Sequence, residues 1–160
     1  MVRSIMAATL ALSAWSGASA EVVRLQGPAQ SPILAGVTIT AGSTLVLLSG
    51  QVPPTLDPAR PATDPASYGD TRAQAIGVFR KIEALLVQQG LGLQDVAKLT
   101  VFLVGDPKLG GKLDFDGFSR AYAQFFGTPG QPNKVARSVV QVAALANPGF
   151  LVEIEAIAAR

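Results

Sequence analysis

The chain has 160 residues, 49% of them hydrophobic and 15% charged, with a net charge of +2. That length supports one domain with a real core and is too short for two comfortable ones. Because the sequence contains no cysteine and no histidine, it excludes disulfides, thiol nucleophiles, imidazole bases and the commonest zinc ligands together.

The first twenty residues, "MVRSIMAATLALSAWSGASA", place Arg3 before an apolar run that ends in Ala18-Ser19-Ala20. This is the pattern of a secretion signal cut before Glu21, and the run is short of the roughly 20 apolar residues that span a bilayer. Removing Arg3 lowers the net charge from +2 to +1. The expected domain is then residues 21–160, in a periplasmic or secreted protein. With no basic cluster interleaved with aromatics, nucleic acid is not an expected partner.

"EVVRL" reads as a short first strand, and "AGVTI" and "STLVLLSGQV" as two more, separated by a turn at Ala41-Gly42-Ser43. "PPTLDPARPATDPASYGD", residues 53–70, has no periodicity and reads as an exposed loop. A helix begins at Thr71, where Thr71 and Gln74 have the spacing of a capping box. Ile76, Phe79, Ile82 and Leu86 recur at helical intervals until Gly90 stops them. "VAKLTVFLV" reads as a strand and "GDPKLGGKLD" as a second glycine-punctuated loop. The Gly110-Gly111 pair in that loop lacks the Lys and Ser/Thr of a phosphate loop. A second helix is expected from Phe115 to Phe126, with Asp114 as cap and Phe118, Tyr122 and Phe125 on a core-facing side. Two apolar strands, "RSVVQVAAL" and "FLVEIEAIA", close the chain around "ANPG". Two helices cover one face of a six-stranded sheet, so the other face needs a further cover, and self-association supplies one.

Charges inside apolar strands single out the candidate chemistry, because an unpaired buried ion costs several kcal/mol. A period of two puts Arg137, Val139, Gln141 and Ala143 on one face of their strand, and Leu151, Glu153, Glu155 and Ile157 on one face of theirs. An arginine and a carboxylate are thereby expected to converge on one cleft. The arginine can grip a substrate carboxylate through two parallel hydrogen bonds, and the glutamate can take a proton from water. The competing reading is an ion pair on a solvated rim. Ser49-Gly50 in "LLSGQVP" offers a hydroxyl and a close backbone approach, or simply a strand-ending turn.

Taken together, "LLSGQVP", "GLGLQDVAKLTVFLV", "AYAQFF" and "ARSVVQVAALANPGFLVEIEAIA" resemble the reactive intermediate deaminase family, RidA/YjgF, from about Ser31 to Ala158. The resemblance implies an α+β, chorismate-mutase-like fold with a six-stranded mixed sheet and two helices on one face. It also implies a homotrimer with clefts between subunits, and hydrolysis of enamines and imines such as 2-aminoacrylate to 2-oxo acids and ammonia, without metal or cofactor. In that pattern Arg137 holds the substrate carboxylate and Glu153 positions the attacking water. Backbone near Ser49, Gly50 and Val139 completes the cleft, with Ser119 in the second helix lining it. The sequence departs from the pattern where Ile33 replaces a tyrosine, Ser119 an asparagine and Val139 a cysteine, and both long loops are extended. An altered substrate preference or weak activity is therefore expected. An exported member would rarely meet aminoacrylate, which arises mainly in the cytoplasm. A different imine, a non-catalytic trimeric binder of small carboxylates or proteins, and a chaperone-like role for the apolar loops are the remaining readings.

Overall fold

The computed structural model describes residues 21–160, so the expected signal segment lies outside the described residues. Six strands and two helices follow the expected order: β1 (Val22–Leu25), β2 (Gly36–Ile39), β3 (Leu45–Gln51), α1 (Thr71–Gln88), β4 (Val96–Val104), α2 (Phe115–Tyr122), β5 (Ala136–Val142) and β6 (Val152–Ala159). Helix α1 is capped by Asp70, not by the Thr71 and Gln74 box. The Asp70 carboxylate accepts from the Ala73 amide at 2.8 Å, because Thr71 is already buried as the first helical residue. Helix α2 carries its expected Asp114 cap on the Gly117 amide, but ends four residues early. Its last bonds tighten to the three-residue spacing at Gln124 and Phe125, before Gly127 turns the chain at φ 71°.

The six strands form two sheets rather than one. β1 and β2 pair antiparallel as a separate ribbon, while the main sheet has the order β3-β6-β4-β5, with β6 antiparallel to both neighbours and β4 parallel to β5. The reason lies in Arg24 of β1. Its guanidinium donates to the carbonyls of Gln94, Val96 and Lys134 at 2.6, 3.0 and 2.9 Å, around the starts of β4 and β5. Together with the Leu34 amide on the Val135 carbonyl, these bonds hold the ribbon across one end of the main sheet rather than along β3.

Both helices cover one face of the main sheet. Leu99, Val101 and Leu103 of β4 and Val152, Ile154 and Ala156 of β6 point into that layer and are buried, whereas their alternate neighbours are not. From α1 come Ala75, Val78, Phe79, Ile82 and Leu86. Ile76, expected in this stripe, is only partly buried because the stripe is centred one residue over. The opposite face is open and apolar along β3 and β5, where Leu47 is 68% exposed and Val140 46%.

The long loop after β3 is exposed over most of residues 54–63, as expected, but its end is anchored to the core. Ser67 and Tyr68 are buried, the Tyr68 ring meets Phe150 edge-on at 4.9 Å, and the buried Gln74 ties this region to the start of β6. The Gln74 amide donates to the Gly69 and Gly149 carbonyls and accepts from the Leu151 amide at 2.7 Å. Gln74→Leu leaves those three groups without their partner and should lower unfolding stability by about 3 kcal/mol in denaturant melts.

Candidate functional site

Arg137 enters the helix-covered layer. It lies opposite Leu99 in the parallel register, and its guanidinium carbon sits 4.2 Å from the ring centroid of Tyr122 and 5.1 Å from that of Phe118. Such stacking orients the planar cation and stabilises it electrostatically. Its Nε and Nη1 are buried and donate to nothing within the described residues. Burial draws the Arg137 pKa below its ordinary value, opposed in part by the neighbouring Tyr122 phenol. A stacked guanidinium with unused donors is ready for an anion.

Tyr122 belongs both to the core, as its helical spacing predicts, and to this site. Its hydroxyl donates to the Pro32 carbonyl at 3.2 Å, and its ring forms the platform under Arg137. Burial raises its phenol above the ordinary 10.0, while the Arg137 charge pulls the other way. In a Tyr68→Phe background the remaining phenolate absorbance should therefore appear with a midpoint above 10.0. The folded state holds this proton more tightly than the unfolded one. The associated stability is thus complete below the unfolded pKa near 10 and is lost as pH rises through the folded value.

Glu153 lies on the other side of the sheet. It is opposite Phe102, three positions along β4 from Leu99, and on the open face that also carries Glu155 and Ile157. Gly50 faces it at an irregularity in the β3–β6 register between Leu48 and Gln51. A Cβ on Gly50 would overlap the Glu153 carboxylate, so glycine is what lets this acid lie against the β3 backbone. Ser49 is exposed beside Glu155, in a shallow hollow shared with Lys98 and Thr100.

The expected convergence of Arg137 and Glu153 thus fails within one chain. Residues directly opposite on adjacent strands share a face. Leu99, opposite Arg137, and Phe102, opposite Glu153, are an odd number of residues apart on β4 and so point oppositely. Each strand's own period was legible, but the relation between the strands required the register. Two half-sites result. One holds Arg137, Tyr122 and Ser119 on the helix side; the other holds Glu153, Gly50 and Ser49 on the open side. Val139 packs against the core on the same face as Arg137.

Sequence reading missed Lys134, Gln30 and Ser31, which line the Arg137 pocket, and so does Pro32. The Lys134 ammonium donates to the Ser31 carbonyl at 2.7 Å, across 103 positions of sequence. No local signal could have joined these residues. Among the described residues no group of three or more Asp or Glu side chains is disposed to hold a metal ion. Asp64, Asp70 and Asp106, which meet around a small cavity between the two long loops, each cap a turn or helix.

Comparison with known proteins gives a consistent set of relatives. Residues 35–160 match the family described as Endoribonuclease L-PSP. A RutC family protein of Haemophilus influenzae is 40% identical over 116 residues, covering 72% of this chain and 79% of that protein. The 2-iminobutanoate/2-iminopropanoate deaminase of Salmonella typhimurium is 35% identical over 129 residues, covering 81% of this chain and 88% of its own length. The crystal structure of the YjgF gene product of E. coli aligns with a TM-score of 0.54 at 31% identity, over 72% of this chain and 80% of that one.

Proposed function

The chain belongs to the endoribonuclease L-PSP family, that of the RidA/YjgF proteins, and from that membership we propose that it hydrolyses 2-imino acids at clefts formed between copies in a homotrimer. The observation that carries this reading is the separation of Arg137 and Glu153 onto opposite faces of one sheet. β5 is an edge strand, so the Arg137 half-site is open to a neighbour, and the open face carrying Glu153 and Gly50 exposes Leu47 and Val140, which a neighbour would cover. Docking the open side of one copy against the β5 edge of the next brings the two halves together.

In that cleft Arg137 holds the substrate carboxylate and fixes the imine carbon. Glu153 accepts a proton from water as the oxygen adds to that carbon. The nitrogen takes up protons, the C–N bond breaks, and ammonia leaves behind a 2-oxo acid. Glu153 passes that proton to the nitrogen and then relays the adduct's hydroxyl proton as well, so both protons gained by nitrogen come from the one water and nothing is oxidised. Cleavage of RNA is not part of the proposal, since the sequence has no basic cluster interleaved with aromatics. Export after removal of residues 1–20 is part of it. The Arg3, apolar run and Ala18-Ser19-Ala20 pattern supports that, and the mass of the mature protein from its native host tests it.

Glu153→Gln should lower turnover of an enzymatically generated imino acid by about 10²–10⁴-fold. A non-catalytic carboxylate binder would instead bind ligands equally well as wild type and Glu153→Gln, with no turnover by either. Refolding Arg137→Ala together with Glu153→Gln tests the shared cleft. Random assembly leaves about a quarter of the clefts with both native residues, so activity should return to roughly that fraction of wild type. A mixture as inactive as its components excludes a cleft shared in this way.

A further inference from the structure

The Arg137 pocket holds a second cation that imine hydrolysis does not use. Lys134, Ser31, Gln30, Ser119 and Tyr122 line a cavity of about 260 Å³ with Arg137, and no carboxylate faces it. Neither cation is neutralised elsewhere. The ion pairs among the described residues join Arg60 to Asp57 and Asp64, and Arg160 to Asp95. The Lys134 ammonium makes one hydrogen bond, to the Ser31 carbonyl, which leaves two of its three donors for another partner. Two uncompensated positive charges beside hydroxyl and amide groups favour a ligand with two negative ones.

The two heads are tethered separately, Lys134 to the segment before β2 and Arg137 to the ring of Tyr122. Lys134 lies in irregular chain before β5 and Arg137 inside the strand, so the two heads reach the cavity from different elements. Charges spaced along a short carbon chain suit that arrangement better than one compact phosphate. We propose that the pocket selects dicarboxylates, with Arg137 on the carboxylate beside the imine and Lys134 on the distal one, so that the preferred substrates are imines of acidic amino acids. This deepens the deaminase reading and rests on it for the imine, whereas recognition of the two carboxylates can be measured without turnover.

Calorimetric titration of the full mature protein with succinate, butyrate and inorganic phosphate tests the inference. Succinate should bind roughly tenfold more tightly than butyrate, as one added charge-assisted hydrogen bond implies. That advantage should vanish in Lys134→Met and persist in Lys134→Arg. Equal affinities for succinate and butyrate in the wild type overturn the inference, as does an advantage that survives Lys134→Met. Phosphate binding more tightly than succinate also overturns it, in favour of a phosphate ester. The imines of aspartate and alanine, generated by amino-acid oxidases, then separate the two readings. Tighter succinate binding with neither imine turned over removes the deaminase and leaves the dicarboxylate site. Turnover of both at equal efficiency removes the dicarboxylate preference and leaves the deaminase.

Discussion

Arg137→Ala should reduce kcat/KM for imino-acid hydrolysis by about 10²–10³-fold, the loss of a two-pronged charge-assisted contact worth roughly 3–4 kcal/mol. Protein stability should change little. The Nε and Nη1 donors have no partner within the chain, so removing them leaves no acceptor unsatisfied, and the cost of burying the cation disappears with the lost ring stacking. Arg137→Lys should recover only part of the activity, because an ammonium keeps the charge but loses the planar fork and the flat stack on Tyr122. Coupled assays with a freshly generated imine measure both variants, and thermal melts show whether the fold survives. Undiminished turnover by Arg137→Ala would remove this residue from the chemistry altogether.

Phe79→Ala should cost about 3–5 kcal/mol of folding stability, as expected for truncating a fully buried aromatic ring. The ring stands where α1 meets α2, with the centroids of Phe125, Phe126, Phe118 and Tyr122 at 5.1, 5.6, 6.1 and 6.3 Å. Few other single truncations remove as many aromatic contacts. Two of those neighbours, Phe118 and Tyr122, are the rings beneath Arg137. The destabilisation should therefore be accompanied by weaker carboxylate binding in whatever fraction remains folded. Denaturant unfolding measures the first effect and succinate titration the second. A loss below about 1 kcal/mol would mean that the cluster closes around the gap, contrary to the close packing of the layer.

Much of the secondary structure was legible because local forces fix it. The 3.6-residue stripe around Phe79 and Ile82, the alternation in "VAKLTVFLV", the Asp114 cap and the glycines that end helices each act within a turn or two of chain. Misreadings arose where a distant group competed. The loop at 53–70 has loop composition, yet Tyr68 packs on Phe150 and Gln74 bonds to Gly149, more than 70 positions away. The β1–β2 ribbon has strand composition, yet one arginine bound to three remote carbonyls moves it off the main sheet. Lys134 gave no signal at all, since it lies in irregular chain before β5 and gains its meaning only from Ser31 and Arg137.

The amino-acid sequence by itself determined which residues carry charge into apolar strands, Arg137, Glu153 and Glu155, and the family resemblance singled out Glu153 from its same-face neighbour. An ion in an apolar strand is expensive if it is buried without a partner, so its presence there asks for either solvent or a site. Only the tertiary structure decided that these two side chains leave the sheet in opposite directions, and that Arg137 shares its pocket with a second cation. The face a side chain takes relative to another strand depends on register, and register is set by pairing between segments far apart in the chain.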